Sequence, residues 1–242
     1  MRVEENERRI ICLANSKKFK GRCLAGKLYT HGRIGGWIRP VSNRADDSLN
    51  KIEREVGKDT EPQLLDILEF GIKKSVASGH QIENWLINSN RIMVRTGRVS
   101  PLDLLPAIDK PINLWHTGKS SKTYGTNDLV PENRIADANC SLYLIKVDKL
   151  NVQVITNNFG YVSRQVRGEF TYIGETYNLV ITDPKIDSQY KLNKDGQYEV
   201  NNVLLTISLA KTEYETKSIG SSGYYKLIAG VIILPEMKNP KW

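Results

Sequence analysis

The feature that most constrains the fold is a succession of short apolar segments of strand length, separated by turn-forming residues. Helical periodicity is confined to residues 47–57 and to one turn near residues 185–190. The pattern therefore predicts a mainly β protein with short helical insertions. The predicted strands are residues 9–14, 22–28, 37–41, 64–72, 142–147, 152–155, 167–173, 176–182, 203–209 and 224–234.

The strands fall into two groups that a segment poor in strands separates. We predict turns or loops at residues 15–18 and 29–36, and short helices and loops over residues 97–140. Residues 80–87 are ambiguous between a short strand and an interface segment. The predicted domains are residues 1–138, which are basic and carry the helical insertions, and residues 139–242.

Each half has about five strands, and this number fits a small closed barrel. The OB barrel is the five-stranded version, and it commonly binds oligonucleotides across one face. Two OB-like barrels are therefore the predicted architecture. A β-sandwich is the alternative, because strand number alone does not determine closure.

The positive charge of the chain is concentrated near its N-terminus. The chain has 35 Lys and Arg against 27 Asp and Glu, a formal net charge of +8. No acidic residue occurs from Arg8 to Ala45, so the whole positive excess lies in this stretch. A field of one sign attracts a polyanion, and nucleic acid is the first candidate; a solvated basic face is the alternative. The ten basic residues of the stretch are Arg8, Arg9, Lys17, Lys18, Lys20, Arg22, Lys27, Arg33, Arg39 and Arg44.

Within this stretch, two patterns suggest contacts with nucleic acid. Residues 15–18 form a polar turn whose amides and ammonium groups can hold a phosphate, although an ordinary hairpin turn explains them equally well. Trp37 and Arg39 project from the same face of a strand, which suits base stacking and a charge contact; a buried Trp37 is the alternative. The full set of predicted contact residues is Asn15, Ser16, Lys17, Lys18, Arg22, Lys27, Arg33, Trp37 and Arg39.

Other motifs give weaker indications of chemistry. The segment from Gly21 to Leu28 approaches a phosphate-binding P-loop, but Leu28 lacks the required hydroxyl, so strand bulges or close backbone approach explain its glycines better. The His80 and Glu83 pair predicts a structural hydrogen bond between domains rather than acid–base chemistry. Asp183 is predicted to cap local amides. A metal-dependent nuclease that uses it is the alternative, with Glu169 and Glu175 as neighbouring acids.

Three groups of segments carry a recognisable pattern: residues 11–18, 21–27 and 36–42 at the start, residues 62–67 and 80–85 in the middle, and residues 177–184, 205–209 and 225–230 at the end. Together they resemble the dual OB-containing domain family of prokaryotes. The resemblance implies two OB folds and a nucleic-acid-associated role in anti-phage or mobile-element conflict systems, with other defence-system proteins as partners. The hydrophilic segment from Thr212 to Gly223 departs from the family pattern.

We therefore predict a non-enzymatic protein that binds single-stranded DNA or RNA, without a metal ion or cofactor. A protein-binding adaptor, a metal-dependent nuclease and a receptor for a small nucleotide are the alternatives. We expect no membrane association, because no apolar run reaches the about 18 residues that a spanning helix needs. Three cysteines without a Cys-x-x-Cys pair favour a reducing, cytoplasmic location.

Overall fold

The computed structural model describes residues 6–18, 21–121, 124–157, 163–212, 214–216 and 221–236. The first sheet of this structure closes on itself as a five-stranded barrel in the order β1-β2-β3-β5-β4, with β4 pairing back to β1 and β6 added beside β4. Strands β3 and β5 are parallel, and the other neighbours are antiparallel. The strands are β1 (Glu7–Lys18), β2 (Gly21–Thr30), β3 (Arg33–Val41), β4 (Asp66–Ser75), β5 (Asn84–Ile87) and β6 (Val94–Arg98).

The second half repeats this topology. Its ring runs β8-β9-β10-β13-β11 and returns to β8, and the parallel pair is β10 with β13. Both rings therefore connect their strands in the order 1-2-3-5-4, so the prediction of two OB-like barrels is confirmed. The strands are β7 (Leu129–Val130), β8 (Leu142–Asn157), β9 (Ser163–Tyr172), β10 (Glu175–Ile181), β11 (Gly196–Leu209), β12 (Tyr214–Thr216) and β13 (Ser221–Ile233), of which β7 and β12 pair with β13 outside the ring.

The helices of the described residues are short. They are α1 (Lys51–Arg54), α2 (Pro184–Tyr190) and two 3₁₀-helices, Pro101–Ala107 and Glu132–Asp137. Helix α1 is shorter than the predicted segment 47–57, because Asn50 caps it and Asp47 lies in a turn with φ of 58°. The turn predicted near residues 185–190 is confirmed as α2. Within the described ranges, no helix has the length and apolar character needed to cross a membrane.

Strand β1 explains why the first apolar segment of the sequence is apolar at consecutive positions. Ile10 and Cys12 point into the first barrel, whereas Ile11 and Leu13 pack against the second barrel. A strand that is buried on both faces has a continuous apolar run rather than an alternating one. This second face belongs to an apolar cluster between the barrels, which consists of Ile11, Leu13, Leu65, Val99, Leu104, Leu144, Leu204, Ile232 and Leu234.

Backbone atoms of the two barrels come close together at this cluster. The Thr206 hydroxyl donates to the Leu13 carbonyl oxygen at 2.7 Å. A Cβ atom added to Gly230 would lie 2.3 Å from that same oxygen, so glycine is required there. Within the first barrel, a Cβ atom on Gly26 would lie 2.0 Å from the Ile11 carbonyl oxygen. The close-approach interpretation of the glycines near Gly26 is therefore confirmed.

The segment between the barrels, residues 99–141, is called the connector. Asp109 N donates to Leu144 O at 2.7 Å, and the Tyr172 hydroxyl donates to Pro111 O at 2.8 Å. Lys226, fully buried on β13, donates from Nζ to the connector carbonyl of Asn127 at 2.8 Å and to that of His116. The connector is thus held to the second barrel along much of its length. The predicted domain boundary at 138/139 falls between its last 3₁₀-helix and β8, and it stays a prediction.

Three local predictions differ from the structure. Residues 15–18 continue β1 as paired strand up to Lys18 opposite Gly21, so the predicted turn is wrong. Residues 29–36 form a hairpin that leaves only two residues, 31 and 32, outside the strands. Residues 142–157 form one strand of 16 residues instead of two. In each case, pairing with a neighbouring strand satisfies backbone groups of polar residues that resemble turn formers. The segment 212–223 lies partly outside the described residues, and its described part contains β12.

Candidate nucleic-acid interface

The expectation that the basic stretch presents a field of one sign is wrong. Among the described residues, six of its ten basic side chains form ion pairs with carboxylates from later in the chain. The strand order brings these carboxylates beside β1, β2 and β3, which the charge pattern along the sequence does not show. Lys20 lies outside the described residues. The six pairs are Arg9–Glu69, Lys17–Asp187, Arg22–Glu61, Lys27–Asp109, Arg39–Glu83 and Arg44–Glu53.

Lys27 and Trp37 lie on β2 and β3, the strands across which OB folds commonly bind oligonucleotides. In this protein the connector covers them. Lys27 Nζ lies 2.5 Å from Asp109 Oδ1, and the Trp37 indole donates from Nε1 to Asp109 Oδ2 at 3.0 Å. Only 6% of Lys27 is exposed. A ligand reaches Lys27 only if the connector moves away, whereas Trp37 is only partly buried.

Arg39 joins the two barrels. It is 2% exposed, and its guanidinium donates to Asn84 Oδ1 at 3.1 Å and to Ser141 Oγ at 2.8 Å. Glu83 Oε1 lies 3.2 Å from the same group and also accepts from the Ser141 hydroxyl. Asn84 and Glu83 belong to the first barrel, and Ser141 comes immediately before β8. The side chain is therefore primarily a buried link between barrels.

The remaining predicted residues divide between the two sides of β1. A cleft between the barrels is lined by Ser16, Lys17 and Lys18, and Arg39 also contributes to its lining. Asn15 and Arg22 instead line a second cleft of about 610 Å³, where Asn15 Nδ2 donates to the Pro62 carbonyl oxygen at 2.8 Å and Arg22 pairs with an acid. Arg33 is exposed at the start of β3. The predicted set therefore does not form one site.

The cleft between the barrels, hereafter the interbarrel cleft, has a volume of about 760 Å³. Both barrels supply its walls. Its lining includes five basic residues and one acidic residue, but four of the five basic side chains are paired with carboxylates that lie outside the lining. These six residues are Lys17, Lys18, Arg39, Arg167, Lys211 and Asp46.

The alternation of side chains along β9 determines which residues of the second barrel line the interbarrel cleft. Val166 and Gly168 point into the barrel core, so Gln165 and Arg167 face outward into the interbarrel cleft. Strands β9 and β10 are the second and third strands of this barrel. The interbarrel cleft therefore lies along the face where OB folds commonly bind oligonucleotides.

Arg167 is held firmly in this wall. Its guanidinium donates to Asn178 Oδ1 at 3.0 Å and to Asn178 O at 2.6 Å, and Asp128 Oδ2 lies 3.3 Å away. Burial lowers the pKa of Arg167 from its ordinary value, and the Asp128 charge opposes that shift. Arg167 is only 3% exposed, so it contributes to the cleft wall mainly as a buried, paired group.

Two tyrosines and one lysine complete the interbarrel cleft, and the sequence analysis missed all three. Tyr124 is 38% exposed, and Tyr225 lies on β13. Lys211 follows β11 and pairs with Asp47 of the first barrel. They lie far along the chain from the basic stretch, and only barrel packing brings them there. The resemblance of residues 225–230 to the family pattern could have drawn attention to Tyr225.

The chain matches the family model described as the dual OB-containing domain over residues 8–231. It belongs to the dual OB-containing domain family. The matched range begins in β1 and ends in β13, so it includes both barrels, the connector and the interbarrel cleft. No curated protein sequence matches the chain significantly.

His80 has a structural role in this member of the dual OB-containing domain family. Its Nε2 lies 2.8 Å from the Ala210 carbonyl oxygen of the second barrel, and its ring meets Tyr224 edge-on at 5.5 Å. The predicted hydrogen bond between domains is therefore confirmed. Burial lowers the pKa of His80, so the ring is mostly neutral near pH 7.

Asp183 is bound by backbone amides. Its Oδ1 accepts from Lys185 N and Ile186 N at the start of α2, and its Oδ2 accepts from Val231 N at 3.1 Å. The predicted capping role is confirmed. Glu169 and Glu175 bond elsewhere, to Gln153 and Asn127. In the part of the chain that the structure describes, no three acidic, histidine or cysteine side chains form a group suited to a metal ion.

Proposed function

We propose that this protein binds single-stranded nucleic acid, without catalysis, in the interbarrel cleft. The main support for the proposal is the position of the interbarrel cleft together with the basic side chains that line it. The cleft follows the β9–β10 face of the second barrel, and three lysines that are not buried, Lys17, Lys18 and Lys211, line it. A phosphate chain in such a cleft releases counterions, which contributes favourable free energy.

The size and composition of the interbarrel cleft support a single strand. Its volume of about 760 Å³ lies in the range of sites that enclose small organic molecules, roughly 300–1,000 Å³. A few unpaired nucleotides match such a volume, whereas a rigid duplex does not. Tyr124 offers a ring on which a base can stack, and base stacking tolerates any sequence.

The exposure of the basic side chains determines how many phosphate contacts we expect. Arg39 and Arg167 are almost fully buried, so Lys17, Lys18 and Lys211 are the three cationic side chains best placed to meet phosphates. For a single strand, three contacts predict a slope of log K against log salt of about −2. Affinity should then fall about twentyfold between about 50 and 200 mM salt.

The test is fluorescence anisotropy with a labelled oligothymidylate and a labelled oligouridylate. Lys18→Gln should weaken binding and reduce the magnitude of the salt slope by about 0.7, because one phosphate contact is lost. Arg33→Gln is the matched control, since it removes one exposed positive charge outside the cleft. Equal weakening by both variants, or no binding of either oligonucleotide, would overturn the proposal.

The family membership supports a more specific proposal. We propose that the protein is a sensor or accessory component of a prokaryotic anti-phage or mobile-element conflict system, acting in the cytoplasm with other defence proteins. A strain that carries the gene should plate phage less efficiently than one with the Lys18→Gln variant. Equal plating by both strains against a broad phage panel would contradict this role.

A further inference from the structure

Two lysines that line the interbarrel cleft form reciprocal ion pairs between the barrels. Lys17 on the first barrel pairs with Asp187 on α2 of the second barrel. Lys211 on the second barrel pairs with Asp47 on the first. The lysine side chains are 41% and 35% exposed, whereas the two carboxylates are 7% and 19% exposed. Each lysine therefore keeps part of its side chain exposed, whereas its carboxylate, which does not line the cleft, is largely buried.

The third lysine also has a carboxylate nearby. Asp46 lines the interbarrel cleft, next in sequence to Asp47. Desolvation opposes the shift, but hydrogen bonds from Ser48 and the positive charge of Lys18 together lower the pKa of Asp46 below its ordinary value. Asp46 thus stays ionised at neutral pH. All three lysines of the cleft are partly neutralised before any ligand arrives.

Resting on the proposed function, we propose that Asp47 and Asp187 restrain ligand binding by holding the lysines that a phosphate chain must recruit. Phosphate and carboxylate compete for the same ammonium group, so binding breaks both ion pairs. The two carboxylates therefore set the affinity of the cleft. Binding also removes two electrostatic links between the barrels, while the apolar cluster around Ile11 and Leu204 keeps the barrels together.

Asp47→Asn is the first test, with labelled oligothymidylate in about 50 mM salt. Removing a partly exposed ion pair should tighten binding about twofold to fivefold. Asp59→Asn is the matched control, because it makes the same change in net charge at an exposed pair with Lys51 that does not line the cleft. The control should leave the affinity within about twofold of the unmodified protein.

A double-mutant comparison separates release of the lysine from loss of a repelling charge. In a Lys211→Gln background, Asp47→Asn has no lysine to release. Its effect should then shrink to that of Asp59→Asn. If Asp47→Asn tightens binding equally in both backgrounds, the ion pair plays no part and the inference is overturned.

The link between the barrels is tested without nucleic acid. The Lys17 amide donates to the Thr182 carbonyl oxygen at 2.9 Å across the barrels. In Asp187→Asn, hydrogen exchange of peptides that contain Lys17 should accelerate at least about threefold, because the neighbouring ion pair is lost. Thermal unfolding first checks that this variant is folded; if it is not, the Asp47 series alone decides.

The outcomes distinguish the two proposals. Binding of oligonucleotide with no difference between Asp47→Asn and Asp59→Asn would overturn the restraint by Asp47 and Asp187 and leave the proposed function standing. Absence of binding in every protein would overturn the proposed function and the inference with it. Tighter binding by Asp47→Asn that disappears in the Lys211→Gln background supports both.

Discussion

Replacing the buried Arg39 by methionine should strongly lower the free energy of unfolding. Arg39 is 2% exposed, and its ion-pair partner Glu83 has a side chain that is 3% exposed. Arg39→Met leaves that carboxylate buried without its cation, which costs about 3–5 kcal/mol. In a protein of this size, about 1 kcal/mol corresponds to roughly 2–4 °C, so Tm should fall by about 6–20 °C.

Differential scanning fluorimetry measures this change, and two further variants separate its causes. Lys149→Met removes the cation of an ion pair with Glu199 whose side chains are 57% and 47% exposed, so it should cost less than about 1 kcal/mol. Arg39→Met combined with Glu83→Gln should recover at least half of the lost Tm, because no buried charge remains. A single Arg39→Met variant that melts like Lys149→Met would refute the argument.

Two other predictions concern the second barrel. Burial lowers the pKa of Lys226 to about 7, against the opposing effect of Asp128, so the unfolded state binds more protons between about pH 7 and pH 10. The free energy of unfolding should therefore rise in this window by up to about 1.4 kcal/mol per pH unit. Urea unfolding measures this slope, and the rise should be absent in Lys226→Met. An equal slope in the variant and the unmodified protein would contradict the prediction. Gly230→Ala places a Cβ atom 2.3 Å from Leu13 O and should lower stability by about 1–3 kcal/mol, whereas Gly36→Ala meets nothing within 4 Å and should cost less than about 1 kcal/mol by the same urea assay.

The sequence pattern predicted most of the fold, because the apolar periodicity of strands and the residue preferences of turns depend on residues that are close together in the sequence. The strands at residues 167–173 and 176–182 and the helical turn near residues 185–190 were all predicted, since each depends on a few neighbouring residues. Strand lengths were predicted less well. Residues 15–18 have the composition of a turn, but pairing with β2 keeps them extended.

The candidate site was only partly predictable, because its groups come from distant parts of the chain. Lys17 and Lys18, which the charge pattern singled out, line the interbarrel cleft, but the same pattern also singled out Lys27, which pairs with Asp109 in the folded protein. Charge counted along a sequence does not reveal which carboxylates fold beside which cations. Arg167 was missed because a single arginine in an alternating strand has no distinctive pattern before the barrels pack.

The connector has a practical consequence for anyone who divides this protein into fragments. Asp109 bonds Lys27 of one barrel and Leu144 of the other, and β7 pairs with β13. A recombinant fragment that ends before β8 would retain β7 but lose the strand with which it pairs, and the complementary fragment would expose part of β13. Exposed strand edges recruit other chains, so both pieces should precipitate on expression. Biochemistry on this protein should keep the two barrels in one polypeptide.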